Sequence, residues 1–266
     1  MFYISLFRKF FIIPWRSQFE YPVAFILGIT AQWMSYGFQF LGMWIMVQAF
    51  GTLAGWNSMQ ILFIYSMNLF SYAIGATFTY NTYQQIMQIV RTGKFDDVLL
   101  KPMNSLVYLL CSNINAAYLS HLTLGLAGML ISLHALGITM EIYKILWLVI
   151  AILGSALIHA GMLILISVPS LIVLNDTGWG IFYTGFRNFM NYPLSIFGRP
   201  IQLLLTFVLP YGFISFYPSQ VILNIQDSLG FSSLFKYLTP LVGILLCSIA
   251  FIAWQWAVNR YESSGS

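Results

Sequence analysis

The chain is poor in charge. Only 7% of its 266 residues are Asp, Glu, Lys or Arg, and none stands between Tyr21 and Val90, whereas an ordinary soluble domain carries about 25%. With 59% hydrophobic residues, so few ions cannot keep a soluble surface of this size free of broad apolar patches. A soluble enzyme is excluded, and a large extramembrane domain with it. The composition is that of an integral membrane protein.

Other scarcities remove further classes. The two cysteines, Cys111 and Cys247, lie singly in apolar runs without a CxxC or histidine-spaced partner, so no disulfide framework or metal site is expected. The N-terminus does not read as a secretory leader: Arg8 and Lys9 follow the first apolar residues, and no small-x-small cleavage site comes after them. A Walker A loop requires G-x-x-x-x-G-K-[ST], but the one GK pair, Gly93-Lys94, has Gln88 in place of the first glycine and Phe95 in place of the hydroxyl residue. No cofactor is expected in this chain. The carboxylates Glu20, Asp96, Asp97, Glu141, Asp176, Asp227 and Glu262 fall at span ends and in loops, leaving no convergent pair for acid–base catalysis. The expected spans also lack ionised residues near their middles, against the needs of an ion-coupled carrier or a channel filter. The formal charge of +4 is not a nucleic-acid signal, because Lys and Arg collect in cytoplasmic loops, where they set topology and meet membrane lipid.

Six stretches are apolar and long enough to cross a ~30 Å hydrocarbon core as helices. They lie near 22–46, 58–79, 105–131, 144–170, 200–222 and 238–258. The expected fold is all-α, a polytopic membrane protein with one transmembrane domain over 1–262, an aromatic and basic interfacial helix at 1–17 and a tail or tag remnant at 263–266. With the N-terminus inside, Arg8, Lys9, Arg16, Arg91, Lys94, Lys101, Arg187, Arg199 and Arg260 are cytoplasmic and only Lys144 and Lys236 external, which places both termini in the cytoplasm. Pro169 marks the inner end of span four, and Pro210 and Pro218 are expected to break span five. Residues 219–236 read equally as short re-entrant pieces or a plain loop. His121 and His159, inside spans three and four, read as interhelical hydrogen-bond partners more readily than as a proton relay. Aromatic residues such as Trp33, Tyr36, Tyr72 and Phe78 suit an apolar or cationic cargo, and lipid-facing packing equally.

Charge returns abruptly in RTGKFDDVLLKP, residues 91–102, which holds Arg91, Lys94, Asp96, Asp97 and Lys101. Ahead of it Tyr83, Ile86, Met87 and Val90 recur at amphipathic helical spacing. Gly93 then ends the helix in the left-handed conformation. Phe95, Val98, Leu99 and Leu100 mingle with the charges, and Pro102 falls in the first turn of span three. A solvated loop is one reading. A protein-docking elbow over 80–102 is the other, favoured because Asp96 and Asp97 add nothing to the inside-positive bias.

RTGKFDDVLLKPMNSL resembles the segment after the second span in permease subunits of ABC-2-type ATP-binding-cassette exporters, and NYPLSIFGRPIQLLLTFVLPYGFISFYPSQVIL resembles the fifth-span region of a six-span branch of that family. The resemblance implies a half-transporter of the bacterial inner membrane. It implies pairing with a second permease, identical or related, and docking on separate cytoplasmic ATPase chains that hold ATP and Mg. It also implies that Arg91, Gly93, Lys94, Phe95, Asp96, Leu99 and Pro102 receive the ATPase's movement. The expected cargo is a hydrophobic or cationic drug or an antimicrobial peptide, with a lipid or lipid-linked glycan as the alternative. An ATP-independent carrier or channel is the reading of another class, and no residue is assigned to the cargo.

Overall fold

A computed structural model describes residues 20–173, 179–226 and 229–263. The interfacial helix expected at 1–17 and most of the tail expected at 263–266 lie outside the described residues, as do Asp176 and Asp227. Among the described residues the chain is helical, with one isolated bridge between Leu53 and Trp56. The helices are α1 (Pro22–Phe50), α2 (Ser58–Arg91), α3 (Lys94–Leu99), α4 (Ser105–Ser112), α5 (Leu119–Ala135), α6 (Ile142–Ser167), α7 (Trp179–Arg187), α8 (Arg199–Leu203), α9 (Phe216–Leu223) and α10 (Thr239–Val258).

Among the described residues four helices are long and apolar enough to cross a membrane: α2, α5 with the turn Ala116–Tyr118 ahead of it, α6 with the turn Val168–Leu171 behind it, and α10. A fifth is added if the bent pair Arg199–Val208 and Tyr211–Leu223 counts as one crossing. α1 has the length, 29 residues without a charge, but Gln32, Ser35, Tyr36 and Gln39 dilute its apolar content. At 34 residues, α2 extends about 50 Å and exceeds the ~30 Å of a hydrocarbon core. Its start is fixed by a reciprocal cap: Gln60 N donates to Asn57 Oδ1 at 2.9 Å and Asn57 N donates to Gln60 Oε1 at 2.9 Å. Gly51 and Gly55 supply the positive φ of the preceding turn.

Small residues bring the helices together, because interhelical packing in lipid depends on close backbone approach. α2 packs along α5 and α6, and α6 along α10. A Cβ at Gly75 would meet the backbone of Ala156 and Ala160, and one at Gly125 would lie 2.9 Å from Phe70 N. Gly154 and Gly161, two turns apart on α6, face Pro240 and the Leu246–Cys247 backbone of α10. This matched order makes α6 and α10 parallel.

The third span departs from the expected single helix over 105–131. α4 stops at Ser112 and α5 begins at Leu119, because Asn115 is committed elsewhere: its N–H donates to Thr77 O at 2.8 Å and its Nδ2 to Asn81 Oδ1 at 2.9 Å, both on α2. Pro102 correspondingly lies in the turn before Asn104, whose side chain caps α4 through Leu106 N and Val107 N. In the fifth-span region the expected break occurs at Pro210, where the two helical arms bend by 77°. Pro218 does not break anything. It sits in the first turn of α9, where a missing N–H removes no intrahelical bond.

Arg199 also departs from its expected place. Its charge assigns it to the opposite face from Lys236, yet its Nη1 donates to Leu229 O at 2.7 Å and its guanidinium lies 4.3 Å from the Phe231 ring centre. Phe231 stacks on Phe235 at 5.7 Å, and Lys236 Nζ donates to Ile225 O at 2.9 Å. Phe207 and Tyr217, one from each arm, also pack on Phe235. Arg199 and Lys236 thus occupy one aromatic cluster, and the arms form a bent hairpin that leaves this cluster and returns to it. A count of cations over a sequence could not detect this, since it assigns each loop by charge alone.

Candidate functional site

Two regions carry the polar chemistry: the elbow after α2 and a pocket between the helices. α2 ends at Arg91, with Thr92 N donating to Gln88 O and Gly93 N to Val90 O. Gly93 takes φ 70° and ψ −2°, the left-handed conformation that its missing Cβ permits, and α3 starts at once. The six residues of α3 divide by face. Phe95 and Val98 are buried, whereas Lys94, Asp97 and Leu99 face outward, followed by Leu100 at 82% exposed. Arg91, Lys101 and Pro102 are exposed as well.

Phe95 is the inward anchor. Its ring centre lies 4.9 Å from that of Tyr261 and 6.4 Å from that of Trp254, both edge-on. Trp254 in turn donates from Nε1 to Ser105 Oγ at 3.2 Å. These side chains belong to a separate apolar cluster with Ile86, Val90, Leu109, Ile164 and Leu171, which joins the ends of α2, α6 and α10 to α3 and α4. Asp96 turns sideways and accepts from Ser263 Oγ at 2.6 Å. Of the residues expected to meet a partner, Arg91, Lys94, Leu99 and Pro102 are therefore outward, Phe95 and Asp96 tie the elbow to the C-terminal end of α10, and Gly93 sets the turn.

The internal pocket has a volume of about 210 Å³ and is lined by Tyr36, Tyr72, Tyr80, Tyr118, His121 and Arg187, among others. It is built by the segment from Gly180 to Asn191 lying against α2. Tyr183 packs on Tyr83 at 6.4 Å, the Arg187 guanidinium lies 3.9 Å from the Tyr72 ring centre, and Asn68 Nδ2 donates to Asn191 Oδ1 at 2.8 Å. The contacts step from residue 83 to residue 68, so this stretch runs antiparallel to α2 for roughly 20 Å. Arg187 is half-buried there and not in the loop to which its charge assigned it.

The hydrogen bonds around it form an ordered chain. Arg187 Nη2 donates to Tyr36 Oη at 3.3 Å, and Tyr36 Oη meets His121 Nε2 at 2.8 Å. His121 Nδ1 meets Ser120 Oγ at 3.1 Å, and Ser120 donates to Ala117 O at 2.9 Å. The donor order is satisfied when Tyr36 donates to Nε2 and Nδ1 carries the proton, an assignment made from the network. His121 thus makes the expected interhelical bond. His159 does not: neither ring nitrogen has a partner among the described residues, and the ring stands edge-on to Tyr72 at 5.3 Å. The signal for Arg187 as a pocket residue, and not a loop cation, is that WGIFYTGFRNFMNYPLSIF, residues 179–197, holds that single charge in an otherwise apolar and aromatic stretch.

The helical architecture and the apolar spans are those of an integral membrane protein. The model of the family described as ABC-2 family transporter protein matches residues 33–265, and the chain belongs to that family. It is accordingly a permease component of an ABC transporter. No curated protein and no solved structure matches it.

Proposed function

We propose that the chain is one of two permease subunits of an ATP-driven exporter, powered by separate ABC ATPase chains that bind ATP and Mg and dock on the outward face of α3. The observation that carries this reading is the division of the elbow. Leu99, Leu100, Lys94, Asp97 and Lys101 form an exposed face of mixed charge and apolar character, suited to a protein partner, while Phe95 and Val98 fix the same short helix to the ends of three long ones. Movement imposed on that face reaches α2, α6 and α10 together. The ATPase drives transport only by preferring one arrangement of these helices over another.

In this reading the membrane is crossed six times, by α1, α2, α5, α6, the stretch 179–197 and α10, with the elbow cytoplasmic. The bent hairpin 199–225 enters from the outer side and returns to it, which the shared cluster of Arg199, Phe231, Phe235 and Lys236 supports. Single cysteines in place of Arg199 and Lys236, with Cys111 and Cys247 replaced, are expected to react with an impermeant maleimide from outside intact cells. A cysteine in place of Lys94 is expected to react only after the cells are opened. Labelling of positions 199 and 94 from the same side sinks this topology.

The drug or peptide cargo retains its apolar component, since Tyr183 and Phe186 line a second cavity of about 410 Å³ with Met162, Leu165, Leu204 and Val208. Its cationic component fits poorly beside Arg187. Reconstitution with the partner ATPase tests the function directly: export is expected to require hydrolysable ATP, and export without ATP moves the chain to the carrier class.

A further inference from the structure

Arg187 poses an electrostatic question that its protein neighbours do not answer. A cation within a helical bundle in lipid needs a counter-charge or a wet cavity. Among the described residues its contacts are the Tyr36 hydroxyl and the Tyr72 ring, and the residues that line its pocket include no carboxylate. A guanidinium has five N–H donors in one plane. One reaches Tyr36, the guanidinium carbon lies 3.9 Å from the Tyr72 ring centre, which holds the charge over an aromatic face, and Arg187 itself lines the pocket. Tyr80 adds another: its oxygen accepts from Gln84 Nε2 at 2.8 Å, so its own hydrogen is free to donate. Donors gather around a positive charge, which is the inverse of a cation site.

The apolar cavity begins one turn away on the same helix. Tyr183 precedes Arg187 by four residues and so shares its face. Its hydroxyl is buried without a protein partner among the described residues, and its ring lines the 410 Å³ cavity beside Phe186. α7 thus contributes Arg187 to the donor-rich pocket and Tyr183 and Phe186 to the larger apolar one.

We propose that this pair of cavities binds an anionic amphiphile as cargo, with a phosphate or carboxylate oxyanion held by Arg187 and Tyr80 and the apolar part lodged beside Tyr183 and Phe186. The geometry of a guanidinium edge suits these oxyanions because two parallel N–H bonds match two oxygens. The inference deepens the exporter reading by fixing the class of cargo, and it rests on that reading.

The test uses the full chain in phosphatidylcholine nanodiscs without the ATPase, titrated with a pyrenyl-alkyl phosphate and with the matching pyrenyl alcohol. The wild-type chain is expected to bind the phosphate about tenfold or more tighter than the alcohol, the scale of hydrogen bonds to a charged group. Arg187→Gln is expected to remove that preference and leave alcohol binding unchanged. Tyr80→Phe, which retains the guanidinium, is expected to weaken phosphate binding several-fold. Alcohol binding reports whether each variant is folded; if Arg187→Gln loses it, the wild-type preference and Tyr80→Phe decide the matter. Equal binding of the two probes to wild type overturns the proposal, as does an undiminished preference in Arg187→Gln. A tenfold gain in phosphate affinity on Asp176→Asn also overturns it, because Arg187 would then serve as the counter-ion of Asp176. Loss of phosphate binding in nanodiscs containing phosphatidylglycerol, itself an anionic amphiphile, supports the site and identifies a membrane phospholipid as its occupant. Coupling to ATP is measured separately, so loss of the preference with intact coupling removes only this site, and loss of coupling with an intact preference removes only the exporter reading.

Discussion

Phe95→Ala is expected to reduce ATP-driven transport to a few per cent of wild type while ATP hydrolysis by the partner continues. Phe95 is fully buried, and its ring packs between Tyr261 and Trp254 at the end of α10. Truncating a buried phenylalanine costs about 3–5 kcal/mol. That cost far exceeds what six residues of helix can supply by themselves, since isolated helices shorter than about 12–15 residues are marginal. α3 therefore comes loose from its base. The long helices keep their own contacts, so the chain is expected to reach the membrane and purify at near-normal yield. The check is transport per ATP hydrolysed in proteoliposomes, alongside the yield of monodisperse protein. Leu99→Ala is the comparison, because Leu99 is 42% exposed and its loss is expected to leave stability within about 0.5 kcal/mol. Full coupling in Phe95→Ala means that the inward anchor has no part in transmission.

The second large effect is on folding. Gly154→Val and Gly243→Val are each expected to abolish recovery of folded protein from the membrane or to lower its thermal midpoint severely. A Cβ at Gly154 would lie 2.7 Å from Pro240 Cα, and one at Gly243 would strike the carbonyl oxygen of Gly154. Both obstacles are backbone, so no side chain can move aside and the two helices must separate. Overpacking costs of about 1–3 kcal/mol are then a lower range, because separation also removes neighbouring contacts such as Cys247 Sγ on Leu157 O. Gly42→Ala is the control. Nothing lies within 4 Å of its Cβ position, and an alanine in a helix gains about 0.5–1 kcal/mol over glycine. Equal yields for Gly42→Ala and Gly154→Val contradict the close approach of α6 and α10.

The features legible in the sequence were those that local physics decides. The spacing of Ile86 and Val90 identified the buried side of α2, and both are buried. Gly93 was readable as the end of that helix because a left-handed residue there is a matter of one Cβ. The bend at Pro210 followed from a missing donor. Features decided by distant partners were hidden. Asn115 breaks the third span only because Thr77 and Asn81 of α2 await it. Arg187 meets Tyr36 across 151 positions of sequence, so its charge pointed to a loop when its contacts place it in the bundle. Arg199 was misplaced for a similar reason, since its partners Leu229 and Phe231 lie beyond the whole hairpin. Pro218 shows the reverse: the residue was recognised correctly, but its position within the first turn, which decides its effect, depends on where α9 starts.

The division of α3 into an inward anchor and an outward docking face is tested most directly by a photo-crosslinker placed at Leu100, the most exposed apolar side chain of the elbow. Expressed with its ABC ATPase in intact cells, the chain is expected to give a covalent adduct with the ATPase from position 100 and none from position 199 or 236. An adduct formed from 199 or 236, or its absence at 100 while the two proteins still co-purify, contradicts the docking of the motor on this helix.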